Sequence, residues 1–213
     1  MRVLAGPRVD LRPDGIAATV AQSLAGPEGS VIPLGEIGAR NLSRLLSAAE
    51  VHLIREAMLG TDPGDYAARE CGRGRQEDRL IGYVCLGVEA DHEPLERRVV
   101  AVTDHANLTW RSPLLGPNDD RLGPRFPSMA EVYAPESVAG RVRSGEGMIV
   151  TRGVVAGVLD DSSLTDFEAE LVDTQIFAAL SSELVPVVII GAHLGLRVAA
   201  AVVPAGPARL SGH

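Results

Sequence analysis

Lysine is absent: all 20 basic side chains of this 213-residue chain are arginine. That excludes Schiff-base catalysis through lysine. It also excludes a P-loop, which needs Gly-Lys-Ser/Thr. Aromatic residues make up only 3%, while 46% of the chain is apolar. The core must therefore be built of Val, Leu, Ala and Ile, and the length suffices for one large domain. Cysteine is scarce, with Cys71 and Cys85 alone. Two thiols without a short spacing fit a reduced cytoplasm better than a disulfide scaffold. Basic excess is missing too, since the net charge is -8. Clustered cations for a nucleic-acid backbone are therefore not expected. The longest apolar run, near 185–192, is too short to span a bilayer. The start, "MRVLAGPRVDLRPDG", lacks the apolar core of a signal peptide. A soluble cytoplasmic protein follows, with neither membrane nor nucleic acid as partner.

What is present alternates between strand and helix signals. A helix is predicted over 14–29, with Asp14 as N-cap and Gly26-Pro27 as its end. A buried strand over 30–38 runs into a Gly-bearing turn. Ser47 and Glu50 have capping-box spacing ahead of a helix over 47–59. The polar stretch 62–78 reads as a surface connection. Strands are predicted over 79–88 and 97–105, and a strand or strand pair over 146–158. Thr165 and Glu168 form a second capping box, opening the best helix pattern, 165–180. A terminal strand covers 196–203. The segment 185–195 is ambiguous: Val and Ile favour a strand, while Pro186 and Gly195 suit the two ends of a helix. Without repeats or a linker, residues 1–213 read as a single α/β domain.

Histidines 52, 92, 105, 193 and 213 are scattered, and no pair has metal-ligand spacing on one helix, so no metal is expected. His92 between Asp91 and Glu93 reads as a solvated loop. The pairs Asp119-Asp120 and Asp160-Asp161 have acid/base character, but turns and caps explain them more cheaply. The Gly-x-Gly of "CGRGRQED" (71–78) lacks the third glycine and following helix of a dinucleotide fingerprint.

The densest signal is "DHANLTWRSPLLGPNDDRLGPRFPSMAEVY", residues 104–133. It is a long loop with four prolines, and Leu108, Trp110, Leu114, Leu115, Leu122, Phe126 and Met129 supply apolar anchors. Within it, "VTDHANL", "SPLLGPNDD" and "GPRFPSMAEVY" resemble, in order and spacing, a signature block of the trimeric purine nucleoside phosphorylases. "HLGLRV" (193–198) and "VVAGV…SSLTDFEAE" are weaker echoes of the same family. The resemblance implies a central mixed β-sheet flanked by helices, a homotrimer, and a helix at 185–193. It also implies that Phe126 reaches into the neighbouring subunit's sugar pocket.

The family's chemistry is phosphorolysis of purine nucleosides, and its site groups are largely not matched here. The counterpart of its first phosphate loop is read as "LGEIGAR", which sets Glu36 beside the phosphate position, with Arg40 one turn on. No match exists for the family's Arg-Phe-His-x-Tyr-Glu-Gly; "LIREAMLG" (53–60) lies nearby. The family's Asn-Ala-Ala-Gly-Gly falls on "CLGVE", placing Cys85, Leu86, Gly87 and Glu89 at the phosphate and sugar. Its purine-binding Glu falls on Leu164, its late purine-binding Asn on Gly206, and its Met-Ser near Ser182 and Glu183. The family's closing helix finds no counterpart before His213. The expected substrate-binding set is therefore Phe126, Cys85, Gly87, Leu164, Ser182 and Gly206. Glu36, Glu89 and His105 are the catalytic candidates, although the family keeps His105 without such a role. No cofactor is expected, and phosphate is a co-substrate only if the family activity survives. Three functions fit: a repurposed enzyme acting on a small molecule, for instance in specialised biosynthesis; a rewired nucleoside phosphorylase or hydrolase; and a non-catalytic relative kept for binding or oligomer formation.

Overall fold

The computed structural model describes residues 1–70 apart from 37, 39–41, 43 and 45, then 79–89, 97–142, 147–174 and 176–207. In chain order its elements are β1 (Arg2–Ala5), α1 (Ile16–Ala25), β2 (Ser30–Pro33), α2 (Ala48–Leu59), α3 (Pro63–Glu70), β3 (Leu80–Glu89), β4 (Arg98–Asn107), α4 (Pro135–Arg141), β5 (Ile149–Gly157), α5 (Asp166–Asp173), β6 (Ala179–Ser181), α6 (Leu184–His193) and β7 (Arg197–Pro207).

The sheet is mixed and closes on itself. β3 pairs in parallel with β7, β7 antiparallel with β4, β4 and β5 in parallel, β5 and β6 in parallel, and β6 antiparallel with β3. Parallel β1 and β2 extend from β3 as a wing. β3 therefore has β7 along one side and β1 and then β6 on the other, which is why it reads as a nearly continuous apolar run. Alternate residues feed two cores. Leu4, Tyr83, Cys85 and Val100 pack toward α2 and α6. Val3, Ala5, Val84 and Val99 pack toward α1 and α4.

The second segment of interest, α6, is helical despite its Val and Ile content. It is buried all round, so tertiary packing overrides propensity. Gly195, at φ +71°, turns the chain into β7. The capping boxes at Ser47/Glu50 and Thr165/Glu168 both form.

Several sequence expectations are corrected. Asp14 does not cap α1; Gly15 is the N-cap, with no side-chain bond. β2 is a partly exposed edge strand ending at Pro33, not a buried strand to 38. The 62–78 stretch opens with a helix, because Asp62 accepts from the backbone N–H of Gly64 and Asp65, and Pro63 suits a first turn. Residues 71–78, including Cys71, lie outside the described residues, as do Arg40, His92 and His213. Where a strand or strand pair is expected over 146–158, the described residues form one strand, β5 (Ile149–Gly157). The helix over 165–180 stops at Asp173, and Ala179–Ser181 becomes β6, captured by the open side of β5.

The long loop between β4 and α4 is held by its own groups and by the end of α6. Asn118 donates to the Gly123 carbonyl, Arg125 to that of Gly116, and His193 Nδ1 to that of Pro124 at 3.1 Å. Leu122 and Tyr133 are buried, but Trp110, Leu115 and Phe126 are not anchors: they stand 97%, 65% and 86% exposed.

Candidate functional site

The first strand is β1, so the first loop at a strand end is Gly6-Pro7-Arg8. Gly6 lies where the ends of β1, β3 and β6 meet: a Cβ there would overlap the Glu183 carboxylate and come within 3.2 Å of the Cys85 Cβ. Only glycine lets the Glu183 side chain lie across the end of β1.

Arg8 is the hub. Its Nη1 and Nη2 grip Asp161 as a fork, at 2.6 and 2.8 Å, and its Nε donates to Glu183 at 2.6 Å. Such paired guanidinium–carboxylate bonds are among the stronger polar contacts in proteins. Asp161 also accepts from the Ser182 backbone N–H at 3.1 Å and from its hydroxyl at 3.3 Å. Glu183 accepts from the Leu86 N–H at 3.4 Å, while its own N–H donates to Ser181 Oγ at 3.2 Å. The Ser181 hydroxyl donates to the Leu86 carbonyl at 2.7 Å. Tyr83 donates to the Glu183 carbonyl at 3.1 Å. Both carboxylates are buried, and the guanidinium is partly open to solvent.

Burial raises the Glu183 carboxyl above the usual range, against the lowering effect of Arg8. Burial likewise pushes the Cys85 thiol well up, with the negative field of Glu183 adding to it. Cys85 is thus a buried thiol, not a thiolate nucleophile.

Of the positions that the sequence points to, Cys85, Ser182 and Glu183 fall in this cluster. Glu36 does not: it is exposed on the turn after β2, because the strand before it is the second, not the first. Glu89, 1% exposed, ends β3 and faces the Arg98 guanidinium, with Nε 3.3 Å away. His105 is bonded through Nδ1 to the Tyr133 hydroxyl at 2.8 Å, the two rings edge to face. That contact ties the end of the long loop to β4. Gly87 lies in β3, where a Cβ would come within 2.6 Å of the Leu180 carbonyl. Leu164 is buried with Ala156, Val158 and Leu180. Gly206 lies near the end of β7, and Phe126 points into solvent.

Nothing in the sequence pattern alone marks Arg8 and Tyr83, and the Asp160-Asp161 pair reads there as a turn or cap. The available signal was the run "VLAGPR", a short apolar strand followed at once by Gly-Pro-Arg. Among the described residues no group of three or more His, Cys, Asp and Glu could hold a metal. No described helix is long and apolar enough to cross a membrane.

A buried histidine, His193, and a partly buried one, His105, make stability depend on pH. Burial lowers the pKa of His105, opposed by Asp104, and of His193, opposed by its bond to the Pro124 carbonyl. An unfolded ring takes a proton near about pH 6.5, so the neutral native rings contribute stability above that pH, which is lost as pH falls below it. Glu183, raised by burial, slopes the opposite way above about pH 4.5. The histidine contribution is therefore read by difference. Urea unfolding from about pH 7.5 to 5.5 should show His193→Gln losing less stability over that range than the native chain. Equal losses would count against it.

No family model matches the chain. Among curated proteins it is similar to purine nucleoside phosphorylase 1 of Bacillus subtilis, 32% identical over 102 residues, 47% of this chain and 38% of that protein. Purine nucleoside phosphorylase 1 of Geobacillus stearothermophilus is 32% identical over 124 residues, 57% of this chain and 44% of that protein. The match thus spans less than half the length of these relatives. Among solved structures, a Schistosoma purine nucleoside phosphorylase in complex with hypoxanthine superposes with a TM-score of 0.67 at 16% identity, covering 99% of this chain and 78% of that one.

Proposed function

We propose, from a chain that is a purine nucleoside phosphorylase-like relative in fold and in part of its sequence, that it acts on a small molecule in the former nucleoside pocket without using phosphate. The observation that carries the reading is Arg8 clasped by Asp161 and Glu183 in the first strand-end loop. By the resemblance, a phosphate-binding loop belongs after the first strand. Two carboxylates there repel a dianion, and the cation that would attract one is already taken. The raised pKa of Glu183 suits it to hold and hand on a proton, as departure of a base or another leaving group requires. Cys85 and Ser182 would shape the pocket beside it.

The same chain would assemble as a homotrimer. Trp110, Leu115 and Phe126, exposed on one loop, support self-association, with Phe126 completing the neighbour's pocket. A cytoplasmic place of action fits the low cysteine count, and specialised biosynthesis fits a family scaffold with altered site chemistry. A second reading, a non-catalytic relative kept for binding or oligomer formation, draws on the burial of both carboxylates, at 1% and 2% exposure.

The test is base release from inosine, guanosine and adenosine, followed by ultraviolet absorbance. The proposed reading expects any turnover to be unchanged by added phosphate. Stimulation by phosphate would overturn it, and no release from any substrate would favour the non-catalytic reading.

A further inference from the structure

The cluster around Arg8 is lopsided. Asp161 accepts twice on each oxygen: Oδ1 from Arg8 Nη1 at 2.6 Å and the Ser182 hydroxyl at 3.3 Å, Oδ2 from Arg8 Nη2 at 2.8 Å and the Ser182 N–H at 3.1 Å. Its lone-pair sites are filled. Glu183 accepts once on each oxygen among the described residues, from Arg8 Nε at 2.6 Å and from the Leu86 N–H at 3.4 Å. The second bond is long for its type, so Glu183 keeps room for a proton. The other titratable groups beside it carry no charge. Burial pushes the Tyr83 hydroxyl and the Cys85 thiol on β3 well up, and both stay neutral. From β6, Ser181 Oγ accepts the Glu183 N–H, and the β1 loop presents Gly6, which has no side chain. Arg8 and Asp161 are thus the charges that Glu183 meets among the described residues.

Arg8 spans the two carboxylates. A proton on Glu183 weakens one of these attachments, because a neutral acid holds a guanidinium less firmly than a carboxylate does. Held by Glu183 alone, a side chain 41% exposed would then swing out into water. The fork to Asp161 prevents this: it grips both terminal nitrogens, and Nη2 also reaches the Leu86 carbonyl at 3.5 Å. Asp161 is itself fixed by Ser182, the residue next to Glu183, so the anchor and the proton carrier are tied to one stretch of backbone. The pKa of Glu183 reflects the same division. Burial raises it, Arg8 lowers it, and the charge of Asp161 adds to the raising side. Without Asp161, an ionised Glu183 would have the guanidinium to itself and that raising influence would be gone, so its pKa should fall.

We propose that Asp161 is a positioning residue: it anchors Arg8, so that Glu183 takes up and releases a proton beside a guanidinium that does not move. Use of that proton rests on the proposed function above, whereas the anchoring is measured with no substrate present. The experiment is carbon-13 NMR of the glutamate-labelled full chain over about pH 4 to 8, native and Asp161→Asn, with circular dichroism to check folding. The Glu183 carboxyl signal is identified by its absence from Glu183→Gln. In Asp161→Asn the Glu183 titration should lie about one pH unit lower, a tenfold loss of proton affinity. A titration unchanged or raised would overturn the proposal. Nitrogen-15 spectra of the native chain test it even where the variant fails to fold. As Glu183 titrates, the Arg8 Nε–H signal should shift while its Nη protons stay slow to exchange. Nη protons that turn to fast exchange once Glu183 is protonated would overturn the proposal, because Arg8 would have left with the carboxylate charge. The two readings fail separately: absence of base release counts against the proposed function and leaves these titrations standing, while an unchanged titration in a chain that releases base counts against the anchoring alone.

Discussion

Arg8→Gln should destabilise the fold by about 3 kcal/mol, the low end for breaking a buried ion pair, because Arg8 is itself 41% exposed while Asp161 and Glu183 are buried. The loss comes from what remains, not from what leaves. Asp161 keeps its bonds from Ser182, and Glu183 keeps the Leu86 N–H, but neither keeps a counter-charge. Two buried carboxylates then face each other across the end of β1. The variant should recover part of its stability in acid. Glu183 already stands above its ordinary pKa through burial, and Arg8 is what restrains it. Without Arg8 its pKa rises further, so the folded state binds a proton the unfolded state does not. Stability then falls as pH climbs through the interval between the unfolded and folded values. Urea unfolding at about pH 5 and pH 7.5 should show the native–variant gap wider at the higher pH. A gap independent of pH would mean that the carboxylates do not depend on Arg8.

Gly123→Ala should be the more damaging change for the long loop. A Cβ at Gly123 would run into the His193 carbonyl oxygen and lie 2.8 Å from its carbonyl carbon. Both are backbone atoms at the end of α6, so no side chain can swing away. The loop must lift, costing about 3 kcal/mol, the upper part of the range for overpacking. Lifting also breaks the bond from His193 Nδ1 to the Pro124 carbonyl and displaces Phe126 two residues on. Sedimentation should therefore show loss of the proposed self-association together with the loss of stability. A variant as stable and as associated as the native chain would mean that this close approach does not hold the loop.

The sequence made some of this legible and not the rest. Ser47 with Glu50, and Thr165 with Glu168, announce their helices because a cap is a local bond between residues three apart. β3, β4 and β7 are plain because they are apolar and closed off by turns. α6 was not legible from propensity: its Val and Ile content says strand, and packing on every side decides otherwise. β6 failed for a related reason. Three residues form a strand only because β5 offers an edge, and that pairing is tertiary. In the site, Cys85, Ser182 and Glu183 are reached through the resemblance. Arg8 and its pairing with the two carboxylates are not, because Arg8 meets Asp161 and Glu183 across 153 and 175 residues of chain. Glu36 lies away from the first strand-end loop because β1, only four residues long, precedes Gly6 with too weak a pattern to stand out, and the strand before Glu36 is the second.

The most direct measurement is phosphorus NMR of the chain incubated with inosine or guanosine and inorganic phosphate. If Arg8, Asp161 and Glu183 occupy the place of the attacking anion, no sugar 1-phosphate signal grows in over hours, whether or not base is released. A sugar 1-phosphate signal that scales with protein concentration would contradict the account at its centre, because phosphate would then reach the anomeric carbon past that ion cluster.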